Sequence, residues 1–126
     1  MKRALIAFII LCIILTFCII DAEYMRTTGE KMLSMMDELY ILCQKGNLDN
    51  IAKLADDIDN YWEKCKPFYS VLNHHEELEQ ADSGIKTICE YALIGDTEPL
   101  RAELAATRSV IENIINMHII SFENVF

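Results

Sequence analysis

Residues 4–20 read ALIAFIILCIILTFCII, an apolar run without a single charge. As a helix the run spans roughly 25 Å, near the lower limit for a bilayer core. Beyond it the pattern changes to apolar positions three and four apart, the spacing of helices with one buried face. Met32, Met36, Leu39 and Cys43 form the first stripe, and QKGN closes it with Gly46 as a left-handed cap. Asn47 or Asp49 can cap the next helix, whose stripe is Ile51, Ala55, Ile58, Trp62 and Cys65, with Pro67 expected to end or kink it. Asn73 opens a third helix and, with Glu76 three residues on, matches a capping box. Its stripe is Leu78, Ala81, Ile85, Ile88 and Ala92, closed by Gly95. Asp96 or Thr97 caps a fourth helix, in whose first turn Pro99 is tolerated, and Leu100, Leu104, Thr107, Ile111, Ile114 and His118 make its stripe. No segment settles into the alternation of a strand.

A shift of 49 residues lays the first pair of stripes on the second. Met32, Met36, Leu39 and Cys43 fall on Ala81, Ile85, Ile88 and Ala92. Gly46 falls on Gly95, and Ile51, Ala55, Ile58, Trp62 and Cys65 on Leu100, Leu104, Thr107, Ile111 and Ile114. The pattern is that of two helical hairpins, neither able to bury its apolar faces alone. The expected fold is all-α: an N-terminal transmembrane helix followed by two hairpins packed as an antiparallel four-helix bundle. The alternative is a short helical-repeat stack. The first bundle helix is expected to continue out of the apolar run. Residues 1–22 are read as a membrane anchor and residues 23–126 as one helical domain.

Charge sharpens this picture. Lys2 and Arg3 precede the apolar run, and Asp21 and Glu23 follow it. A cleaved signal needs small residues at −3 and −1 of the cut; with Ala22 at −1, Ile20 occupies −3. A lipoprotein signal needs a small residue before its cysteine, and Phe17 precedes Cys18. An uncleaved, single-pass anchor needs only length and a basic flank. The positive-inside rule then puts the N-terminus in the cytoplasm and the domain outside the cell membrane. Of 11 Lys/Arg and 20 Asp/Glu in the chain, only Lys2 and Arg3 lie before Asp21, which leaves the chain beyond Ile20 a net charge of −11. Such a surface disfavours nucleic acid and stands off anionic headgroups. Five cysteines occur with no CxxC spacing. Cys12 and Cys18 serve as small apolar residues in the stem, and Cys43, Cys65 and Cys89 are expected as buried free thiols, although one disulfide is possible in an oxidising compartment.

Three motifs, YWEKCK (residues 61–66), HEELEQAD (75–82) and SFENVF (121–126), follow in order behind the apolar run. Together they resemble the bacterial family 4363 of domains of unknown function. The resemblance covers nearly the whole chain and is most specific at Trp62, at His75, Glu76, Glu77 and Leu78, and at Glu123, Asn124, Val125 and Phe126. It implies a small membrane-anchored helical protein and carries no catalytic residues. Its motifs read as packing and capping elements, with Phe122, Val125 and Phe126 expected to fold back over the bundle end.

Candidate chemistry is thin. His75 and Glu79 share a helix face at i and i+4, and antiparallel pairing places Glu112 or His118 within reach of His75. Zinc needs three or four ligands, and local sequence supplies two. The bundle di-metal order Glu-x-x-His is reversed here, and HExxH is absent. Capping and ion pairing are the preferred reading of this polar run, with a pH-responsive histidine contact as a lesser one. Met32, Met35 and Met36 suit core filling rather than Cu(I). Trp62 reads as a core anchor with its ring N–H bonded. Asp56, Asp57 and Asp59 read as a solvated face. No phosphate loop, catalytic triad order or nucleophile elbow occurs. The expected function is therefore a non-catalytic protein-interaction or scaffold module, without cofactor, held in the membrane through residues 4–20 and working with a protein partner. A ligand- or ion-sensing bundle is the alternative. With residues 1–3 alone inside, it would signal through a membrane partner. A metal-dependent enzyme is the third reading.

Overall fold

The computed structural model describes residues 1–72 and 75–125, with side chains placed for 1–71 and 75–117. Four helices follow one another: α1 (Lys2–Lys45), α2 (Leu48–Leu72), α3 (His75–Ile94) and α4 (Thr97–Val125). Each packs on its neighbours in the chain, and α1 packs on α4. That last contact closes the ring, so the hairpins form a bundle rather than an open stack.

Each stripe read from the sequence lies in one core. Met32, Met36, Leu39, Ile51, Ile58, Trp62, Ile85, Ile88 and Leu100 are all but inaccessible to solvent. The positions paired by the 49-residue shift are buried in both hairpins, from Met32 and Ala81 through Cys65 and Ile114. Their turns match as well: Gly46 has φ 75° and Gly95 φ 82°. A side chain at this left-handed φ would be strained. The Gly46 N–H donates to the Leu42 carbonyl and the Gly95 N–H to that of Tyr91, closing α1 and α3 alike. Asn47 caps α2 by accepting the Asn50 N–H.

α1 is a single helix from the apolar run into the bundle. Its core residues begin at Asp21 and Met25, whereas Leu5, Phe8, Ile13 and Phe17 are at least 60% exposed. At 1.5 Å per residue, the 44-residue helix is roughly 66 Å long, about 35 Å of it inside the bundle.

Pro67 does not end α2. The helix runs through it to Leu72, and the next turn puts Tyr69, 1% exposed, into the core. Proline removes one backbone hydrogen bond, while the Ser70 hydroxyl donates to the Pro67 carbonyl at 2.7 Å. Burial of Tyr69 and its 2.6 Å hydroxyl contact with Thr28 of α1 hold the segment helical against the local propensity. The Asn73 cap lies outside the described residues. The backbone of α4 continues to Val125, which makes residues 121–125 part of the helix. The side chains of Phe122 and Asn124, and Phe126 itself, lie outside the description.

Two glycines set close helix approaches. A Cβ on Gly84 of α3 would run into Thr107 of α4, and one on Gly29 of α1 into Ile115 of α4. α4 therefore sits tight against both neighbours, and the methyl-free face is the reason.

Candidate functional site

Two of the polar residues singled out in the sequence, His75 and Glu79, lie at the seam between α2 and α3. Helical spacing puts Trp62, Lys66 and Ser70 along one edge of α2. His75, Leu78, Glu79 and Asp82 lie along the facing edge of α3. Because α2 ends at Leu72 and α3 begins at His75, Lys66 and Asp82 stand about equally far from that end of the antiparallel pair and face one another. The Trp62 ring N–H donates to Asp82 Oδ1 at 3.0 Å, and Lys66 Nζ donates to the same oxygen at 3.1 Å. Trp62 is fully buried, so its only polar atom is satisfied at the rim of the core. The motifs YWEKCK and HEELEQAD are thus two halves of one contact, joined at Asp82.

Asp82 carries the electrostatics of this seam. Burial pushes its carboxyl up, but the hydrogen bonds from Trp62 and Lys66 and the charges of Lys66 and Lys86 outweigh burial and hold it below the ordinary 3.8. One turn further along, Lys86 Nζ bonds Asp59 and, at 3.0 Å, Glu63. Those two bonds hold its pKa above the usual lysine range. Asp59 is therefore an interhelical partner rather than a solvated acid, while Asp56 and Asp57 are exposed as expected.

A carboxyl whose folded-state pKa is depressed stabilises the fold fully above its unfolded pKa. The stabilisation is lost as pH falls through the folded-state value. Asp82→Asn keeps an acceptor for Trp62 but removes the titrating charge. The variant is expected to be less stable than the parent at neutral pH and to lose less stability as pH falls from neutral into the acid range. Urea unfolding at a series of pH values checks this; parallel curves for the two proteins would contradict it.

Beyond the Asp82 contact the seam opens into a cleft of about 230 Å³, lined by Lys66, Ser70, His75, Leu78, Glu79 and Asp82. His75 and Glu79 share this cleft. His75 is the first residue of α3 and exposed, and Glu76 and Glu77 place acid in its first turn, where the helix dipole favours it. Leu78 is buried.

Glu112 is not part of this arrangement. It accepts from Arg108 at 3.0 Å, and Arg108 in turn clamps Asp37 of α1 at 2.7 and 3.2 Å. Glu112 thus belongs to the α1–α4 seam, whereas His75 lines the α2–α3 cleft, so the expected contact with Glu112 does not form. His118 lies outside the described side chains. Among the described residues no three His, Cys, Asp or Glu side chains converge as metal ligands.

Cys43 and Cys89 are poor nucleophiles. The described cysteines are all free, with Cys43 and Cys65 buried and Cys89 half-buried. Burial, with the nearby charge of Asp59, pushes Cys89 to about 11, and its Sγ lies 3.4 Å from the Ala55 carbonyl. Burial raises Cys43 too. A thiol titrating so high is protonated and inert at neutral pH.

Lys66, Ser70, Asp82, Asp37 and Arg108 were missed as contact residues in the sequence. For Lys66 and Asp82 a signal existed: opposite charges at the ends of two motifs equidistant from a turn. Asp37 and Arg108 are 71 residues apart, and no local pattern links them.

A family model described as a domain of unknown function (DUF4363) matches residues 19–125, so the match begins where the stem ends and the core starts. No curated protein and no solved structure matches the chain.

Proposed function

The chain belongs to the DUF4363 family, and from that premise we propose that it is a membrane-anchored, outward-facing helical module that docks a protein partner and performs no catalysis. The observation that carries the reading is the continuity of α1. One helix holds both a stem long and apolar enough to cross a membrane and one wall of the bundle core. Among the described residues nothing in the bundle covers the stem, and its 14 exposed apolar residues in water would be a severe aggregation liability. Lys2 and Arg3 at its start favour a cytoplasmic N-terminus, and the net −11 beyond Ile20 suits a body held off anionic lipid.

The non-catalytic part rests on where the polar side chains are spent. Lys66, Lys86 and Arg108 are committed to interhelical carboxylates, and Trp62 to Asp82. The α2–α3 cleft offers one histidine and one glutamate at its mouth, without a positioned nucleophile or third ligand. The sensing alternative would use the same cleft.

Chemical crosslinking on intact cells, followed by purification through a tag on the chain, tests the docking role. The expected result is one protein recovered reproducibly and absent from uncrosslinked controls. A blank across crosslinkers of several lengths would count against the role.

A further inference from the structure

The bundle end farthest from the stem exposes a group of large aliphatic side chains. There the α1–α2 and α3–α4 turns lie side by side: the methyls of Leu48 come within 3.6 Å of where a Cβ on Gly95 would sit. Around that contact Leu93 is 79% exposed, Ile94 75% and Leu48 50%, and Ile41 on the last turns of α1 is 49% exposed. Four large aliphatic side chains thus cap an otherwise acidic body. A surface helix ordinarily puts polar residues at such positions. Asp49, Asp96 and Glu98 flank them at the starts of α2 and α4, against Lys45 at the end of α1. None of these four charges forms an ion pair among the described residues.

We propose that this tip is the docking surface of the module and that its occupant is a cationic amphipathic segment of another protein. Such a segment would lay apolar residues on Leu48, Leu93 and Ile94, with Lys or Arg at its flanks to meet Asp49, Asp96 and Glu98. The inference rests on the docking role proposed above and adds the place and the chemistry. Charge complementarity selects the occupant: two copies of this chain would bring together equal acidic rims on chains of net −11 beyond Ile20. The tip also stands about 35 Å along α1 from the stem, so the membrane holding the stem cannot cover it, and its acids oppose any anionic bilayer.

The test uses the full chain in its own membrane. A photoreactive phenylalanine analogue replaces Leu93, or in a second strain Asn113, exposed on α4 far from the tip. Intact cells are irradiated, and the joined peptides are identified by mass spectrometry. The expected result is an adduct at Leu93 with one protein, through a segment of net positive charge with apolar residues at helical spacing. Ile94→Glu should reduce that adduct at least tenfold while leaving the thermal melt unchanged, because residue 94 is largely exposed. An adduct at Asn113 but not at Leu93 would leave docking intact and overturn the tip as its place. At Leu93, an adduct with a second copy, with lipid or with an acidic segment would overturn the proposed occupant. No adduct at either position would overturn both readings.

Discussion

Replacing Trp62 with alanine is expected to destabilise the bundle by about 3–5 kcal/mol, the cost of truncating a fully buried aromatic side chain. Two losses combine. The ring leaves a cavity against Tyr69, whose ring centroid lies 5.9 Å away edge-on, and Asp82 loses the N–H that helps hold its charge. Trp62→Phe separates them: it keeps much of the ring volume and removes only the donor. Its expected loss is about 1.5–3 kcal/mol, the range for a hydrogen bond to a charged group. Urea unfolding of the full chain in nonionic detergent, followed by helical circular dichroism, measures both. Equal losses for the two variants would show that the Asp82 bond, and not packing, dominates.

Gly84→Ala is expected to cost about 1–3 kcal/mol despite alanine's better helix propensity. The added methyl would lie 3.0 Å from Thr107 Cγ2 and 3.1 Å from its Cβ, and closer still to its hydroxyl oxygen. Thr107 is β-branched and 2% exposed, so it has no room to turn away. Its hydroxyl is buried without a hydrogen-bond partner, so Thr107→Ala removes both the obstacle and an unsatisfied polar atom. The double variant is therefore expected within about 0.5 kcal/mol of the parent, a favourable coupling of about 1–2 kcal/mol. Gly29→Ala is the contrast: its methyl meets Cδ1 and Cγ1 of Ile115, a longer side chain than threonine with a second rotatable bond, so its cost should be smaller. Additive losses at Gly84 and Thr107 would contradict the close approach of α3 and α4.

The sequence was most legible where one rule acted alone. Helical periodicity found the core face of each helix, and Gly46 and Gly95 found two of the turns, because a left-handed cap leaves few alternatives to glycine. Pro67 misled because its propensity is local, while the burial of Tyr69 and the Tyr69–Thr28 contact that override it are tertiary. The histidine run was legible as a helix start, with Leu78 and Ala81 in the core. Its partners were harder to read, since a polar residue on the edge of a helix can face either neighbour. His75 lines the cleft toward α2, Glu79 borders that cleft and another against α4, and Glu112 reaches α1 through Arg108. The apolar tip was hidden for the opposite reason. Leu48, Leu93 and Ile94 read as ordinary members of an apolar-rich chain, and only the adjacency of the two turns gathers them on one surface.

The central claim, an anchored bundle facing outward, is tested most directly by the side of the membrane on which α4 lies. Asn113→Cys introduces an exposed thiol on α4. The natural thiols are buried or half-buried in the bundle or lie in the stem, so a parental control accounts for their background. Intact cells are treated with a membrane-impermeant maleimide, and the labelled fraction is compared with that in lysed cells. The account predicts equal labelling before and after lysis, with the chain retained in membranes through an alkaline carbonate wash. Labelling only after lysis, or release of the chain by the wash, would contradict it.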